Sequence, residues 1–165
     1  MNISEPVDAD KLRAAMRRWS TGVTIVTAQH NSIKHGMTVS SFTSISLDPP
    51  LVLVSLEKTA KTTALIHASG AFGVTILGED QQWISDRFAG RVPEAGDRFE
   101  GVDFVPLITG APLLVDGIAN FDCRVVSARD AGTHTLFLGE VVDIRIGKDS
   151  KPLLYYERDY HTFDC

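Results

Sequence analysis

The 165-residue sequence lacks the residue patterns of several common protein classes. Its two cysteines, Cys123 and Cys165, are too few for a disulfide framework and have no metal-ligand spacing. The histidines are scattered along the chain, without the close pairing on one helix face that is typical of a metal site. We therefore predict no metal site, and we expect Cys123, which alternates with apolar residues, to be a small buried hydrophobe.

Other absences narrow the possible functions. No run approaches the roughly 20 apolar residues of a membrane span, and the N-terminus has no secretion-signal pattern. These features favour a cytoplasmic location without a membrane partner. The net charge of −5, with no basic stripe, argues against a nucleic-acid partner. The usual nucleotide fingerprints and the Gly-x-Ser-x-Gly motif are also missing.

Most of the chain has the residue pattern of strands. Strands are predicted over residues 21–28, 37–46, 51–56, 72–77, 113–115, 118–128 and 133–146, and helices over 8–19, 59–69 and 79–88. The nearly continuous apolar run at 51–56 predicts a strand buried on both faces, and residues 129–132 predict a hairpin turn. Many strands with few, short helices indicate one mainly β domain over residues 1–165, an antiparallel barrel or Greek key. We expect residues 1–10 to be flexible.

The first candidate binding segment is rich in hydroxyl groups. Between Thr38 and Ser46, six of nine residues are serine or threonine. Hydroxyl groups both donate and accept hydrogen bonds, so they suit the polar edge of a flavin ring or a phosphate. An ordinary polar sheet face explains the same composition, and composition alone does not choose between the two.

A second candidate lies where a strand gives way to a helix, between Ser55 and Thr62. Backbone N–H groups at a helix N-terminus favour anions. Lys58 or Lys61 would add positive charge, and Thr59 and Thr62 would add donors. The alternative is that Thr59 only caps the helix and the lysines are solvated.

Three later positions are weaker candidates. Arg87 has a planar fork that suits a phosphate, whereas the neighbouring Phe88 is either a core residue or a ring-stacking one. His134 begins a predicted strand beside a turn, where a surface role and a binding role are both possible. The aromatic tail around Arg158 would either cover a planar ligand or pack on the core.

The order of these clusters resembles the short-chain flavin reductases, the small reductase components of two-component flavin-dependent monooxygenases. The matching segments are 18–27, 36–52, 88–90, 132–141 and 152–156, of which 36–52 is the specific one. The resemblance implies a split β-barrel that binds FMN or FAD, a homodimer with flavin near the subunit interface, and NADH or NADPH as the electron donor. It also implies that reduced flavin passes to a partner monooxygenase.

The resemblance also implies roles for individual residues. The implied flavin-binding residues are Thr38, Val39, Ser40 and Ser41 along the isoalloxazine, Ser55, Thr59, Lys61 and Thr62 near the phosphate, and Phe88, Ala89 and Gly90 closing over the ring, with Arg87 as a further phosphate candidate. The implied nucleotide-binding residues are His134, Tyr155, Arg158 and Tyr160. The family's Gly-Asp-His motif has Thr133 in place of its acid here, which weakens the nucleotide prediction.

The implied reaction is hydride transfer from the nicotinamide C4 to the flavin N5. Since the cofactors supply this chemistry and the protein supplies positioning, no catalytic side chain is predicted. Two other functions stay open: a different flavin-dependent oxidoreductase on the same barrel, and a non-catalytic flavin-binding protein.

Overall fold

A computed structural model describes residues 7–92 and 97–163. Its helices are α1 (Ala9–Met16), α2 (Lys61–Ser69) and α3 (Gln82–Phe88). Its strands are β1 (Thr21–Gly22), β2 (Thr24–His30), β3 (Ile33–Val39), β4 (Thr43–Leu47), β5 (Pro50–Glu57), β6 (Ala71–Ile76), β7 (Phe104–Val105), β8 (Leu113–Leu114), β9 (Ala119–Ala131), β10 (His134–Ile146), β11 (Leu154–Tyr156) and β12 (Asp159–His161). Cys165 and residues 1–6 of the segment predicted to be flexible lie outside the described residues.

Seven strands form the main sheet, in the order β3-β2-β6-β9-β10-β5-β4, and every pairing in it is antiparallel. Two small sheets, β1-β11-β12 and β7-β8, accompany it. The prediction of a mainly β, antiparallel fold is therefore confirmed. Among the described residues, no helix is long and apolar enough to cross a membrane.

The connection between β3 and β4 shows that the main sheet is strongly curled. These two strands are its opposite edges, yet only residues 40–42 separate them. In a flat sheet of seven strands the two edges would lie roughly 29 Å apart. The chain from Val39 to Thr43 spans at most about 14 Å. The edges must therefore approach each other, and this curvature supports the split-barrel prediction.

The described residues form two buried core clusters, and the larger one packs against the curled sheet. Phe72, Phe137 and Val54 are fully buried there, and α2 covers this cluster. Cys123 is also fully buried, and desolvation raises the pKa of its thiol to about 12. Its prediction as a small buried hydrophobe is confirmed.

Several predicted elements have different bounds in the structure. The single strand predicted over 37–46 is two strands, β3 and β4, because the chain leaves one edge of the sheet at residues 40–42 and joins the other. The helix predicted over 8–19 ends at Met16, and α3 begins at Gln82 rather than 79. The long hairpin turns at residues 132–133, since β9 continues to Ala131.

Between β5 and α2, one sequence prediction is wrong and one of the alternatives left open is excluded. Strand β5 is buried on one face only, because its outer face, including Leu51 and Leu53, is half-buried. Helix α2 is not capped by Thr59: its N-cap residue is Ala60, which makes no side-chain capping bond. The helix does end as predicted, at Gly70 in the left-handed region with φ of 69°.

Candidate functional site

A continuous groove runs along β3, over the end of α3, to the β11–β12 hairpin. It consists of four adjoining cavities of about 360, 440, 170 and 520 Å³. The first two share His35, Lys61 and Arg98, and we call them the basic end. The third, which we call the middle, shares Thr38 and Ala89 with the basic end. The fourth, the aromatic end, shares Ser40 and Tyr155 with the middle.

At the basic end, hydrogen bonds to other parts of the chain hold the side chains of Arg98 and His35 in position. The Arg98 guanidinium donates hydrogen bonds to the carbonyl oxygens of Gly36 (3.1 Å) and Phe88 (2.8 Å). The His35 Nδ1 lies 2.8 Å from the Oγ1 of Thr62, which is fully buried at the start of α2. These contacts hold the basic end in place before any ligand binds.

Lys61 occupies an electrostatically unusual position. It is the first residue of α2, where the helix dipole disfavours a cation. The first turn of the helix contains no acidic residue, and the N-cap residue Ala60 provides no side-chain acceptor for the free N–H groups. Both Ala60 and Lys61 line the groove. An anion bound here would offset the unfavourable interaction of Lys61 with the helix dipole and would accept hydrogen bonds from the free N–H groups.

The close packing of β3 against the end of α3 depends on the absence of a side chain at residue 36. A Cβ on Gly36 would lie 2.8 Å from Cε1 of Phe88, whose ring is fully buried and packs edge-on against Phe99. The Thr38 hydroxyl donates to the Ser85 carbonyl oxygen at 2.6 Å and so ties β3 to α3. The resulting groove presents hydroxyl and apolar groups to a ligand.

Two tyrosines and one arginine close the far side of the middle. The rings of Tyr155 and Tyr160 are 5.4 Å apart, and the Arg91 guanidinium donates to both of their hydroxyl oxygens (3.2 and 3.3 Å) and to the Asp86 carboxylate (3.0 Å). The bond to Tyr155 contributes most to raising the pKa of Arg91. Burial raises the pKa of Tyr160, which also lies 2.8 Å from the Ser85 hydroxyl. At neutral pH this corner therefore holds a charged guanidinium and a neutral Tyr160.

The aromatic end is bounded by α1 and the turn of the last hairpin. Glu157 and Arg158 both have positive φ, 50° and 68°, without being glycine. The Glu157 N–H donates to the Arg17 carbonyl oxygen (3.2 Å), and its carboxylate pairs with Arg18 (3.0 Å). A non-glycine residue in the left-handed region carries backbone strain, so surrounding contacts must hold it there. The contacts of Glu157 keep the turn in this conformation and thereby keep Arg158 beside the groove.

The structure brings most of the predicted site residues together. The groove is lined by Thr38, Val39, Ser40, Ser41, Lys61, Phe88, Ala89, Tyr155, Arg158 and Tyr160. Phe88 contributes as a buried wall residue.

Six predicted residues line none of these four cavities: Ser55, Thr59, Thr62, Arg87, Gly90 and His134. The backbone of Ser55 is bonded to the Ser41 hydroxyl, and Thr62 lies behind His35. Arg87 bonds the Glu100 carbonyl and lies over the Trp83 ring. His134 is exposed at the tip of the long hairpin, with its Nδ1 2.9 Å from the Thr133 hydroxyl.

Sequence reasoning missed several residues of the groove, among them His35, Arg91 and Arg98. His35 was visible only as one of several scattered histidines, and the two arginines lie in or beside a glycine- and charge-rich loop. Each reaches the groove through contacts between distant parts of the chain, such as Arg98 to Gly36. A local motif does not identify them.

Comparison with known proteins decides the family. Residues 16–164 match the flavin reductase like domain. This chain belongs to the flavin reductase-like family. It is 41% identical over 156 residues to an NADH-dependent flavin reductase of a Rhodococcus species, covering 93% of this chain and 85% of that one. It is 36% identical over 157 residues to the reductase subunit HsaB of a flavin-dependent monooxygenase of Rhodococcus jostii, covering 95% and 79% of the two chains.

A solved structure extends this comparison to the fold. The NADH:FAD oxidoreductase SgcE6 of Streptomyces globisporus, in complex with NAD and FAD fragments, superposes with a TM-score of 0.86. It is 34% identical, and the match covers 97% of each chain. The flavin reductase-like fold thus accounts for nearly all of this chain.

The groove of this family member fits a phosphorylated planar cofactor on its own geometry. The basic end offers positive charge beside an uncapped helix start, and the middle offers hydroxyl groups beside apolar walls. Arg and Lys side chains of this kind favour phosphate through charge-assisted hydrogen bonds. The residues present therefore match both halves of a flavin mononucleotide unit.

Proposed function

We propose that this chain catalyses NAD(P)H-dependent reduction of FMN or FAD and supplies the reduced flavin to a separate monooxygenase. The main observation in support is the continuous groove. Its basic end suits a phosphate, its middle is lined by hydroxyl groups, and its aromatic end lies on the other side of that middle. The names of the relatives support NADH as the donor, and HsaB supports a monooxygenase partner.

The flavin would lie along β3 with its phosphate at the basic end. Lys61 and Arg98 would hold the phosphate, with His35 oriented towards it by Thr62. Thr38, Val39 and Ser40 would line the isoalloxazine, and Ala89 would close over it from the end of α3. The Ser41 hydroxyl stays engaged with the backbone of Ser55 and would fix the bend beside the ring.

The chain's contribution to the reaction is positioning and electrostatics. Bound flavin supplies the hydride acceptor, and the nicotinamide supplies the hydride. Holding two rings in contact lowers the barrier mainly because their translational and rotational freedom is already lost on binding. The groove walls around Thr38 and Tyr155 therefore contribute more to the rate than any acid or base. The cationic side chains that line the groove would stabilise the negative charge that develops on the flavin as it is reduced.

The nucleotide would approach from the aromatic end, past Tyr155, Tyr160 and Arg158. His134, which is exposed at a hairpin tip and lines no part of its own groove, would contact the nucleotide of a second copy. Its Nδ1 is beside the Thr133 hydroxyl, so Thr133 takes the orienting place of the family's acid.

Replacing His134 with alanine is expected to raise the KM for NADH roughly tenfold, which corresponds to one lost hydrogen bond to a charged group. Flavin affinity should stay at the wild-type value because His134 lies away from the basic end. Steady-state kinetics with varied NADH and a separate flavin titration measure the two effects. The exposed His30, at the β2–β3 turn, is the matched control. Loss of flavin binding in the His134 variant would show that this residue contacts the other ligand.

A homodimer is supported by exposed apolar residues on two parts of the described chain. Helix α1 has no buried residue, and Leu12, Met16 and Trp19 are exposed. The outer face of β5 and β10 carries the paired residues Leu53 and Leu138, both only half-buried. Apolar surface that is left uncovered on a folded domain often marks an interaction site. A second copy would cover it.

We expect the chain to sediment as a dimer of about 36 kDa, twice 18.0 kDa. Leu53→Glu should shift it to the monomer, because a charge buried in the interface is not paired there. Ile108→Glu, at an exposed loop position, should leave the dimer intact. Analytical ultracentrifugation distinguishes these cases. A wild-type chain that is monomeric at high micromolar concentration would contradict the dimer.

The function itself is tested by NADH oxidation that depends on added FMN or FAD, with cytochrome c reduction as the readout. A flavin reductase should turn over steadily with flavin and NADH alone. A non-catalytic flavin-binding protein should bind flavin without oxidising NADH. A different flavin-dependent oxidoreductase should oxidise NADH only when its own small substrate is added.

A further inference from the structure

One charged side chain lines the middle of the groove. Among the described residues around this cavity, Arg91 alone carries a charge, and the others are apolar, hydroxyl-bearing or aromatic. Lys61 lies elsewhere, at the basic end that suits a phosphate. The proposed function places the isoalloxazine ring in the middle. Arg91 is therefore the cation beside the part of the flavin whose charge changes in the reaction.

Arg91 is held in position by three side chains. Its guanidinium donates hydrogen bonds to the hydroxyl oxygens of Tyr155 (3.2 Å) and Tyr160 (3.3 Å) and to the Asp86 carboxylate (3.0 Å). The guanidinium carbon also lies 5.8 Å and 5.6 Å from the centres of the two tyrosine rings. A charged group that is already positioned needs no reorganisation when opposite charge develops beside it, so it stabilises that charge most effectively.

The counter-charge of Arg91 does not face the groove. Asp86 lines none of the four cavities, and its side chain is 27% exposed, compared with 49% for Arg91. The Asp86 carboxylate also accepts a hydrogen bond from the Tyr160 hydroxyl (2.9 Å). A guanidinium has five N–H donors, so these contacts leave donors of Arg91 for a ligand. The ion pair thus presents its positive end to the middle of the groove.

Flavin reduction changes the charge of the ring and leaves the charge of the phosphate as it was. The hydride brings two electrons and one proton from the nicotinamide C4 to the flavin N5, so the nicotinamide gains a positive charge and the ring a negative one. A cation at the phosphate binds both forms equally, whereas a cation at the ring attracts the reduced form more strongly. Only the second contact favours reduction, because uniform binding does not promote the chemical step.

We infer that Arg91 contacts the flavin ring and binds its reduced form more tightly than its oxidised form. Asp86 and the two tyrosines are the positioning residues of Arg91. The inference rests on the proposed function, since it takes the isoalloxazine to lie in the middle of the groove. It assigns control of the reduction potential of the bound flavin to one side chain, which lies away from the phosphate-binding cations.

The test measures the Kd of oxidised FMN, the Kd of reduced FMN under anaerobic conditions, and the midpoint potential of the bound flavin. Arg91→Gln keeps a hydrogen-bond donor and removes the charge. It should raise the Kd for reduced FMN by about tenfold and leave that for oxidised FMN within about twofold. The midpoint potential should fall by about 30 mV, which is that tenfold change for a two-electron couple. Arg91→Lys, which restores the charge, should recover most of the loss.

Two control variants show which part of the flavin Arg91 contacts. Lys61→Met should weaken oxidised and reduced FMN by the same factor and leave the potential unchanged, because its phosphate partner carries the same charge in both forms. Arg87→Gln removes an arginine that lines none of the four cavities, so it should change neither Kd. Wild-type affinity for oxidised FMN in Arg91→Gln shows that this variant is folded.

The possible outcomes separate this inference from the proposed function. Equal losses for both forms of FMN in Arg91→Gln, or an unchanged potential, would overturn the inference while flavin reduction continued. A raised KM for NADH with both Kd values unchanged would assign Arg91 to the nucleotide and refute it. A loss that Arg91→Lys fails to recover would show that the side chain acts through packing, which also refutes it. A wild-type chain that binds no flavin would contradict the proposed function itself.

Discussion

Lys61→Met is expected to raise the Kd for FMN by about 10- to 100-fold, the cost of removing one charge-assisted contact to a phosphate. Lys61 is the first residue of α2 and lines both cavities of the basic end. The helix itself should be no less stable, because a cation at a helix N-terminus is opposed by the dipole. The variant should therefore bind flavin more weakly without being less stable.

Riboflavin, which lacks the phosphate, provides the internal control for Lys61. Its Kd should be the same in wild type and in Lys61→Met, because the lost contact is to the phosphate alone. Lys58, three residues earlier and paired with Asp130 at 2.9 Å, provides the matched lysine control. If Lys61→Met weakens riboflavin as much as FMN, the residue supports the ring site rather than the phosphate, and the orientation of the flavin is reversed.

Ala89→Trp is expected to abolish flavin binding, with a Kd more than about 100-fold above wild type, because a bulky side chain would occupy the place of the ring. Ala89 lines both the middle and the basic end of the groove. It has helical backbone angles at the end of α3 and is exposed, so a larger side chain fits without strain. The free energy of unfolding should change by less than about 0.5 kcal/mol, as for other surface positions.

Ala64→Trp is the matched control for Ala89→Trp. Ala64 is an exposed alanine within α2 that lines none of the four cavities. It should bind FMN like the wild type. Isothermal titration with FMN, together with urea unfolding of each variant, measures both properties. A folded Ala89→Trp variant with wild-type FMN affinity would show that the isoalloxazine does not pass between Thr38 and Ala89.

The sequence was informative where function depends on local composition. The hydroxyl-rich segment from Thr38 and the lysines at the start of α2 are both recognisable from consecutive residues, and the structure places Thr38, Ser40 and Lys61 in one groove. The choice between Lys58 and Lys61 required the helix bounds. Only Lys61 faces the groove, while Lys58 pairs with Asp130 on the long hairpin.

The break between β3 and β4 was not predictable from the same residues. Val39, Ser40, Phe42 and Thr43 are all acceptable in a strand, so the local pattern continues through residues 37–46. The chain bends there because the sheet curls and its two edges are joined by three residues. This bend is a property of the whole sheet, and it also creates the contact between the Ser41 hydroxyl and Ser55.

Residues that act through long-range contacts were missed for the same reason. Arg98 reaches the carbonyl of Gly36 across 62 positions, and Arg91 reaches Tyr160 across 69. Their loop is rich in glycine and charge, a composition that indicates only an exposed connection. The last hairpin, β11–β12, was likewise predicted only as an aromatic tail, since its turn residues Glu157 and Arg158 are not typical of the left-handed region.

Anaerobic mixing of the purified chain with FAD and NADH tests the central proposal most directly. The proposal predicts that the visible absorption band of oxidised flavin bleaches, at a rate that rises with both protein and NADH concentration. In Ala89→Trp the bleaching should fall to the rate of the protein-free mixture, and in Ala64→Trp it should match the wild type. A chain that binds flavin, yet leaves its band unbleached by NADH and by NADPH, would contradict the assignment as a flavin reductase.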